Sequence, residues 1–195
     1  MMSETKIETE KSKLILHQLP TDILDTIKMA IEESKDKLNK TPKIFVFGKE
    51  CKQHRNVGFF SNESIGYKYS GRLAASKELT PSLKTILEYI NSYFNTDYNG
   101  ILINEYIDGT DYISAHSDDE TSLSDNGVVM ISYGAKRKFR IRNKGNKQIM
   151  LDIPTKNNEM IQMTGNFQKE FLHEVPIEKK VKETRYSLTF RKHHI

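Results

Sequence analysis

Between Pro20 and about Leu38 the apolar residues Ile23, Leu24, Ile27, Ala30 and Ile31 recur three or four positions apart. That is the spacing of one helix face, and Thr21 or Asp22 can cap its start. A second helix is predicted over about 80–94, because Thr80 followed by Pro81 places a capping hydroxyl before a proline at the first helical position. Elsewhere the pattern is shorter. PKIFVFG, from Pro42, reads as a brief strand, 49–66 as a loop, and YKYSG (67–71) as a strand end. Beyond Asn95 strands follow one another. ILINEYI, GVVMISYG, KFRIR, KQIMLDI, EMIQMTG, EFLHEV and RYSLTFR are short, rich in β-branched or aromatic residues, and separated by turn residues. Residues 1–12 are polar and charged and read as a disordered arm, which leaves 13–195 as a single domain. Two early helices followed by a run of short strands predict an α+β, mostly β chain: a helix-backed antiparallel sandwich or jelly roll.

Composition narrows this further. A chain of 195 residues holds one well-buried domain and is short for two. Hydrophobic residues make up 36% and mean hydropathy is −0.62, and no apolar run approaches the roughly 20 residues that span a bilayer, so no membrane partner is expected. The charged N-terminus lacks the apolar stretch of a signal peptide. Cys51 is the single cysteine, which excludes an intrachain disulfide and points to a reducing intracellular compartment, nucleus or cytoplasm. The net charge of +4 permits an anionic partner without demanding one. A monomer is expected.

The candidate chemistry lies among the strands. In an extended segment residues i and i+2 share a face, so His116 and Asp118 project together, and His173 lies in another predicted strand. Two imidazoles and one carboxylate leave three metal positions open, as non-haem Fe(II) oxygenases require. Alone, H-x-D is a weak signal. In RYSLTFR the residues Arg185, Ser187, Thr189 and Arg191 fall on one face and Tyr186, Leu188 and Phe190 on the other. Such a strand is either an ordinary solvent-facing one or a site for a dicarboxylate, which guanidinium forks grip bidentately. Asn104 and Tyr106 repeat the i, i+2 geometry just upstream.

Three motifs together carry a family resemblance. NEYIDGTDYISAHSDDE (104–120) resembles the segment of AlkB-family demethylases that bears the first two iron ligands. FLHEVP (171–176) resembles the segment with the third, and RYSLTFR resembles the closing strand. The resemblance runs from roughly Pro42 to Arg191 and implies an AlkB-type dioxygenase on a double-stranded β-helix, using Fe(II), 2-oxoglutarate and O2. It implies that His116, Asp118 and His173 hold iron, and that Asn104, Tyr106, Arg185, Thr189 and Arg191 bind 2-oxoglutarate. In that reading Arg185 takes the distal carboxylate and Arg191 stands near the chelating end. A catalytic jelly roll over about 98–191 and a nucleotide-recognition lid over about 42–75 follow.

The N-terminal half bears on substrate. VFGK (46–49) and YKYSG resemble the lid of the duplex-DNA-repair branch of the animal AlkB homologues. The resemblance makes Phe47 a wedge that fills the gap left by a flipped base, which replaces lost stacking. It sets Gly48, Lys49, Tyr67, Lys68 and Tyr69 around that base, with Asp119 and Glu120 at its polar edge. Lys136, Lys138, Arg140 and Arg142 alternate along one strand face and could track a phosphate backbone. The expected activity is oxidative demethylation of 1-methyladenine and 3-methylcytosine in DNA, with alkylated nucleic acid as partner. The same chemistry on RNA, hydroxylation of a protein side chain and a catalytically silent nucleic-acid-binding module are the alternatives.

Overall fold

The structure is a computed structural model describing residues 3–46, 48–69, 72–118 and 127–193; the side chains of Val46, Lys68, Tyr69 and Arg72 fall outside the description. The N-terminal half comprises β1 (Ser3–Glu8), β2 (Ser12–Gln18), α1 (Asp22–Ser34), β3 (Lys43–Val46), β4 (Lys49–Lys52), β5 (Asn56–Phe60), β6 (Gly66–Tyr69), β7 (Arg72–Ala75) and α2 (Pro81–Phe94). The rest comprises β8 (Gly100–Tyr106), β9 (Ile113–His116), β10 (Val128–Gly134), β11 (Lys138–Asn143), β12 (Ile149–Pro154), β13 (Glu159–Gly165), α3 (Phe167–Glu170), β14 (Phe171–Val175) and β15 (Arg185–Arg191).

Among the described residues the strands build a seven-stranded sheet, β1-β2-β13-β10-β15-β8-β5, and a four-stranded one, β12-β11-β14-β9. Two separate hairpins, β3-β4 and β6-β7, complete the chain. The alternation of side chains explains the layers. On β8, β10 and β15 the residues Ile101, Ile103, Val129, Ile131, Leu188 and Phe190 pack under the helices with Ile27, Leu83, Ile86 and Ile90. The opposite faces of the same sheet meet the small sheet in a second core, where Tyr106, Val128 and Met130 join Phe139, Ile141 and Val175. The expected mostly β jelly roll backed by N-terminal helices is the fold observed.

α2 starts as its sequence predicts. Thr80 is extended, its hydroxyl accepts the Leu83 N–H at 3.3 Å, and Pro81 opens the helix. Asn95 ends it in the left-handed region at φ 50°. Glu33, near the end of α1, adds a second cap, its carboxylate accepting the Ser82 N–H at 3.1 Å and the Ser82 hydroxyl at 2.7 Å.

Two expectations are corrected. Half of the expected disordered arm, Ser3–Glu8, forms β1, paired antiparallel with β2, which itself pairs with β13. Its Lys and Glu side chains misled the reading, because a backbone ladder needs no apolar side chains and charges are common on an edge strand. The 49–66 interval, read as a loop, contains β4 and β5. β5 is the edge of the large sheet beside β8, so the expected lid is interrupted by a strand of the main fold. No helix among the described residues is long and apolar enough to cross a membrane.

Candidate active site

The small sheet sets two of the candidate ligands opposite each other. His116 closes β9 and pairs across the ladder with His173 on β14, their ring centroids 4.3 Å apart. Asp118 follows two residues beyond β9. Its two carboxylate oxygens lie 3.8 Å from His116 Nε2 and 3.9 Å from His173 Nε2. One ligand atom from each of the three falls within 4.8 Å of the others. The predicted i, i+2 pair and the distant histidine are thus joined on one side of a small space.

Their protonation states suit a metal, which needs neutral imidazoles and an ionised carboxylate. Burial, with the neighbouring His173, pushes His116 down to about 3 against the opposing pull of Asp118. Burial also lowers His173. For Asp118 burial raises the carboxyl, but Arg191, His173 and His116 outweigh it and hold it at about 2. His116 Nδ1 donates to the Ser114 carbonyl at 2.8 Å, which fixes the tautomer that leaves Nε2 with its lone pair toward Asp118.

Facing the ligands is a wall from two adjacent strands of the large sheet. Register places Arg185 beside Tyr106 and Ser187 beside Asn104. Asn104, Tyr106, Arg185, Ser187, Thr189 and Arg191 line the same cavity as the ligands, so the polar face of β15 points inward and is not solvated. Arg185 is 0% exposed and Arg191 1%. Arg191 Nη2 lies 3.2 Å from Asp118 Oδ2, next to the ligands. Arg185 stands farther along the strand, with its guanidinium 5.2 Å from the Tyr106 ring centre. Its Nη2 donates to Ser132 Oγ at 2.8 Å, whereas its Nε and Nη1 are buried with no hydrogen-bond partner among the described residues. Burial pushes that guanidinium down from its ordinary value. A buried cation with two idle donors is costly unless a ligand accepts from them, and a carboxylate is the natural acceptor. The donor set and the wall therefore fit iron with a dicarboxylate co-substrate.

Tyr67 lines the cavity, 3% exposed, with Arg191 4.9 Å over its ring. Gly48, at φ 76°, and Lys49 sit at the turn of the β3-β4 hairpin, both exposed. Phe47, Asp119 and Glu120 lie outside the described residues, as do the side chains of Lys68 and Tyr69. The basic strand differs from its expectation. Arg140 makes a bidentate pair with Asp152 at 2.7 and 2.9 Å, and Arg142 bonds Glu174 at 2.8 Å. Neighbouring strands supply these acids, which a reading of one strand does not reveal. Two buried arginines, one lining the cavity and one beneath it, were given no site role by the sequence reading. Arg55 is 3% exposed, lines the cavity and donates through Nε to Asn104 Oδ1 at 2.8 Å. Arg137 donates to the Asp108, Asp111 and Pro176 carbonyls and to Glu178, and braces the loops below Tyr106. Arg55 carries no periodic signal, and Arg137 lies between Lys136 and Lys138 in a basic run that looks like surface.

A jelly roll holding two histidines and an aspartate opposite buried arginines defines a non-haem iron oxygenase that uses an acidic co-substrate. Sequence comparison is more specific. Residues 14–191 match the 2OG-Fe(II) oxygenase superfamily, and the chain belongs to it. Membership implies Fe(II), 2-oxoglutarate and O2. Similar curated proteins include the DNA oxidative demethylase ALKBH2 of Homo sapiens, 29% identical over 158 residues, which cover 77% of this chain and 60% of that protein. The alpha-ketoglutarate-dependent dioxygenase alkB homolog 3 of Rattus norvegicus is 34% identical over 120 residues, 57% of this chain and 41% of that one. The chain thus spans about three-fifths or less of the length of these relatives. The solved structure of OsALKBH1 shares the fold, with a TM-score of 0.56 at 16% identity over 92% of this chain and 97% of that one.

Proposed function

We propose that this protein is an AlkB-type dioxygenase that removes alkyl groups oxidatively from bases in DNA, with 1-methyladenine and 3-methylcytosine as its lesions. The observation that carries the chemistry is the buried Arg185, with two idle donors, across one cavity from His116, Asp118 and His173. The relatives named DNA oxidative demethylase carry the substrate class. When bound, iron, O2 and 2-oxoglutarate would supply the oxidising chemistry that converts an N-alkyl group to an aldehyde and frees the base. The chain's own residues do the placing. His116, Asp118 and His173 would hold Fe(II), and Arg185 would receive the distal carboxylate of 2-oxoglutarate. Asn104, Tyr106 and Thr189 would line its path, and Arg191 keeps Asp118 ionised, as a metal ligand would need to be. Tyr67 walls the cavity next to the ligands, where a flipped base would enter. Phe47 would be the wedge, and Asp119 and Glu120 would face a cationic base, which acidic groups favour.

RNA is the second reading. It is favoured by the pairing of Arg140 and Arg142 with Asp152 and Glu174, which leaves β11 less free charge to follow a duplex backbone. Turnover of methylated single-stranded DNA, duplex DNA and RNA, with product bases measured by mass spectrometry, separates the readings. Under the DNA proposal duplex DNA is repaired, and Phe47→Ala lowers duplex repair about tenfold or more while single-strand repair falls far less. Activity confined to RNA, or an unchanged duplex-to-single-strand ratio in Phe47→Ala, would overturn the duplex reading.

A further inference from the structure

The Asp118 ligand lies beyond the last ladder pair of β9, His116 with His173, so strand pairing does not hold its backbone. Something else must. The Asp118 N–H donates to the side-chain oxygen of Gln168 at 2.9 Å. Gln168 belongs to α3, the short turn that leads directly into β14 and His173. Its amide is held from the other end as well, where Nε2 lies 3.8 Å from Met163 Sδ. Lys144, in the β11-β12 connection, donates through Nζ to Ser117 Oγ at 2.8 Å and to the Gln168 carbonyl at 3.0 Å. Its own N–H is bonded to the Glu170 carbonyl at 2.9 Å. One half-buried glutamine therefore ties the segment bearing Asp118 to the segment bearing His173, and one lysine clamps both sides of that tie.

We infer that Gln168 is a positioning residue of the metal site, with Lys144 as its support. It does not touch the metal. It fixes the distance between β14, which bears His173, and the residues just past β9 that bear Asp118 and that the sheet leaves unpaired, so that three ligand atoms converge before any ion binds. Partners that orient ligands in this way commonly govern metal affinity by about 10–100-fold.

The test measures Mn(II) affinity by electron paramagnetic resonance on the full chain without O2, beside the melting temperature of the metal-free protein. Gln168→Leu, which keeps the volume and removes the acceptor, should weaken Mn(II) binding by about 10–100-fold. Gln168→Glu keeps an oxygen for the Asp118 N–H and should bind Mn(II) close to wild type. Lys144→Met should weaken binding in the same direction but less, and it carries the test if Gln168→Leu does not fold. At saturating metal the affinity for 2-oxoglutarate should be unchanged, because Arg185 is untouched. A folded Gln168→Leu protein with wild-type Mn(II) affinity would falsify the inference. So would a lower melting temperature without a change in affinity, or equal losses in the Leu and Glu variants, since either result marks a merely structural role.

Discussion

Arg185 shows how much one residue's surroundings reveal. Its guanidinium is buried, bonded to Ser132 through one nitrogen and idle at two more positions. Arg185→Lys keeps the charge and loses the fork, so the KM for 2-oxoglutarate should rise about tenfold or more, with a smaller fall in kcat. Arg191→Lys should instead lower kcat and Mn(II) affinity together, because Arg191 holds Asp118. Equal and negligible effects in steady-state assays would remove both arginines from the site. Glu105 offers a residue-scale test of stability. Burial pushes its carboxyl up, but the Asn56 amide at 2.5 Å, the Tyr186 hydroxyl at 2.6 Å and Lys40 outweigh it and hold it below its ordinary value. A carboxyl lowered by folding stabilises the protein above its unfolded value, and that contribution is lost as pH falls through the folded value. Glu105→Gln should therefore cost about 1 kcal/mol, the difference between charged and neutral hydrogen bonds, at pH 6–8. The gap to wild type should close below about pH 4.3, the ordinary glutamate value. Urea melts across that range check it, and a pH-independent gap would exclude the carboxylate as the cause.

Among the elements, α2 has its two caps from different sources. Thr80 is local and visible in the sequence, while Glu33 reaches over from α1. Thr80→Ala should cost about 1 kcal/mol and lower the melting temperature by about 2–4 °C in a chain of this size. Since α2 contributes Leu83, Ile86 and Ile90 to the layer beneath β8 and β15, the loss is global rather than a fraying of one end, and catalysis at low temperature should be unaffected. A melting temperature within error of wild type would mean that Glu33 alone suffices as a cap. The strands divide similarly. RYSLTFR announces its own alternation, and the structure uses both faces, Leu188 and Phe190 under the helices and the arginines in the cavity. SETKIE in β1 announces nothing, since its place at the sheet edge rests on backbone pairing with β2.

At the scale of the whole molecule, the site joins the two sheets. His116 and His173 come from the small one, and Asn104, Tyr106, Arg185, Thr189 and Arg191 from the large one. A ligand that bridges them should stabilise the entire fold by mass action. Mn(II) with 2-oxoglutarate at about a hundredfold excess over Kd should add about 2.7 kcal/mol, raising the melting temperature by roughly 5–11 °C. The chelator EDTA should reverse the shift, and His173→Ala should abolish it. A shift that persists in His173→Ala would place the metal elsewhere.

Much of this protein was determined by short-range pattern alone. Helix spacing from Ile23 to Ile31, the Thr80-Pro81 start, the strand alternation of RYSLTFR and the HSD and FLHEVP motifs are properties of consecutive residues, and each is realised where it stands. Other features depend on partners distant in the chain. β1 and β5 became strands because β2 and β8 offered open ladders. Arg55 became part of the site through Asn104, and Arg140 and Arg142 lost their free charge to Asp152 and Glu174. Asp118 was held in place by Gln168, 50 residues away. Periodicity records which face of an element is apolar, but hydrogen bonds and ion pairs saturate between specific groups, so only the tertiary structure decides which polar residues are already satisfied and which remain for a ligand.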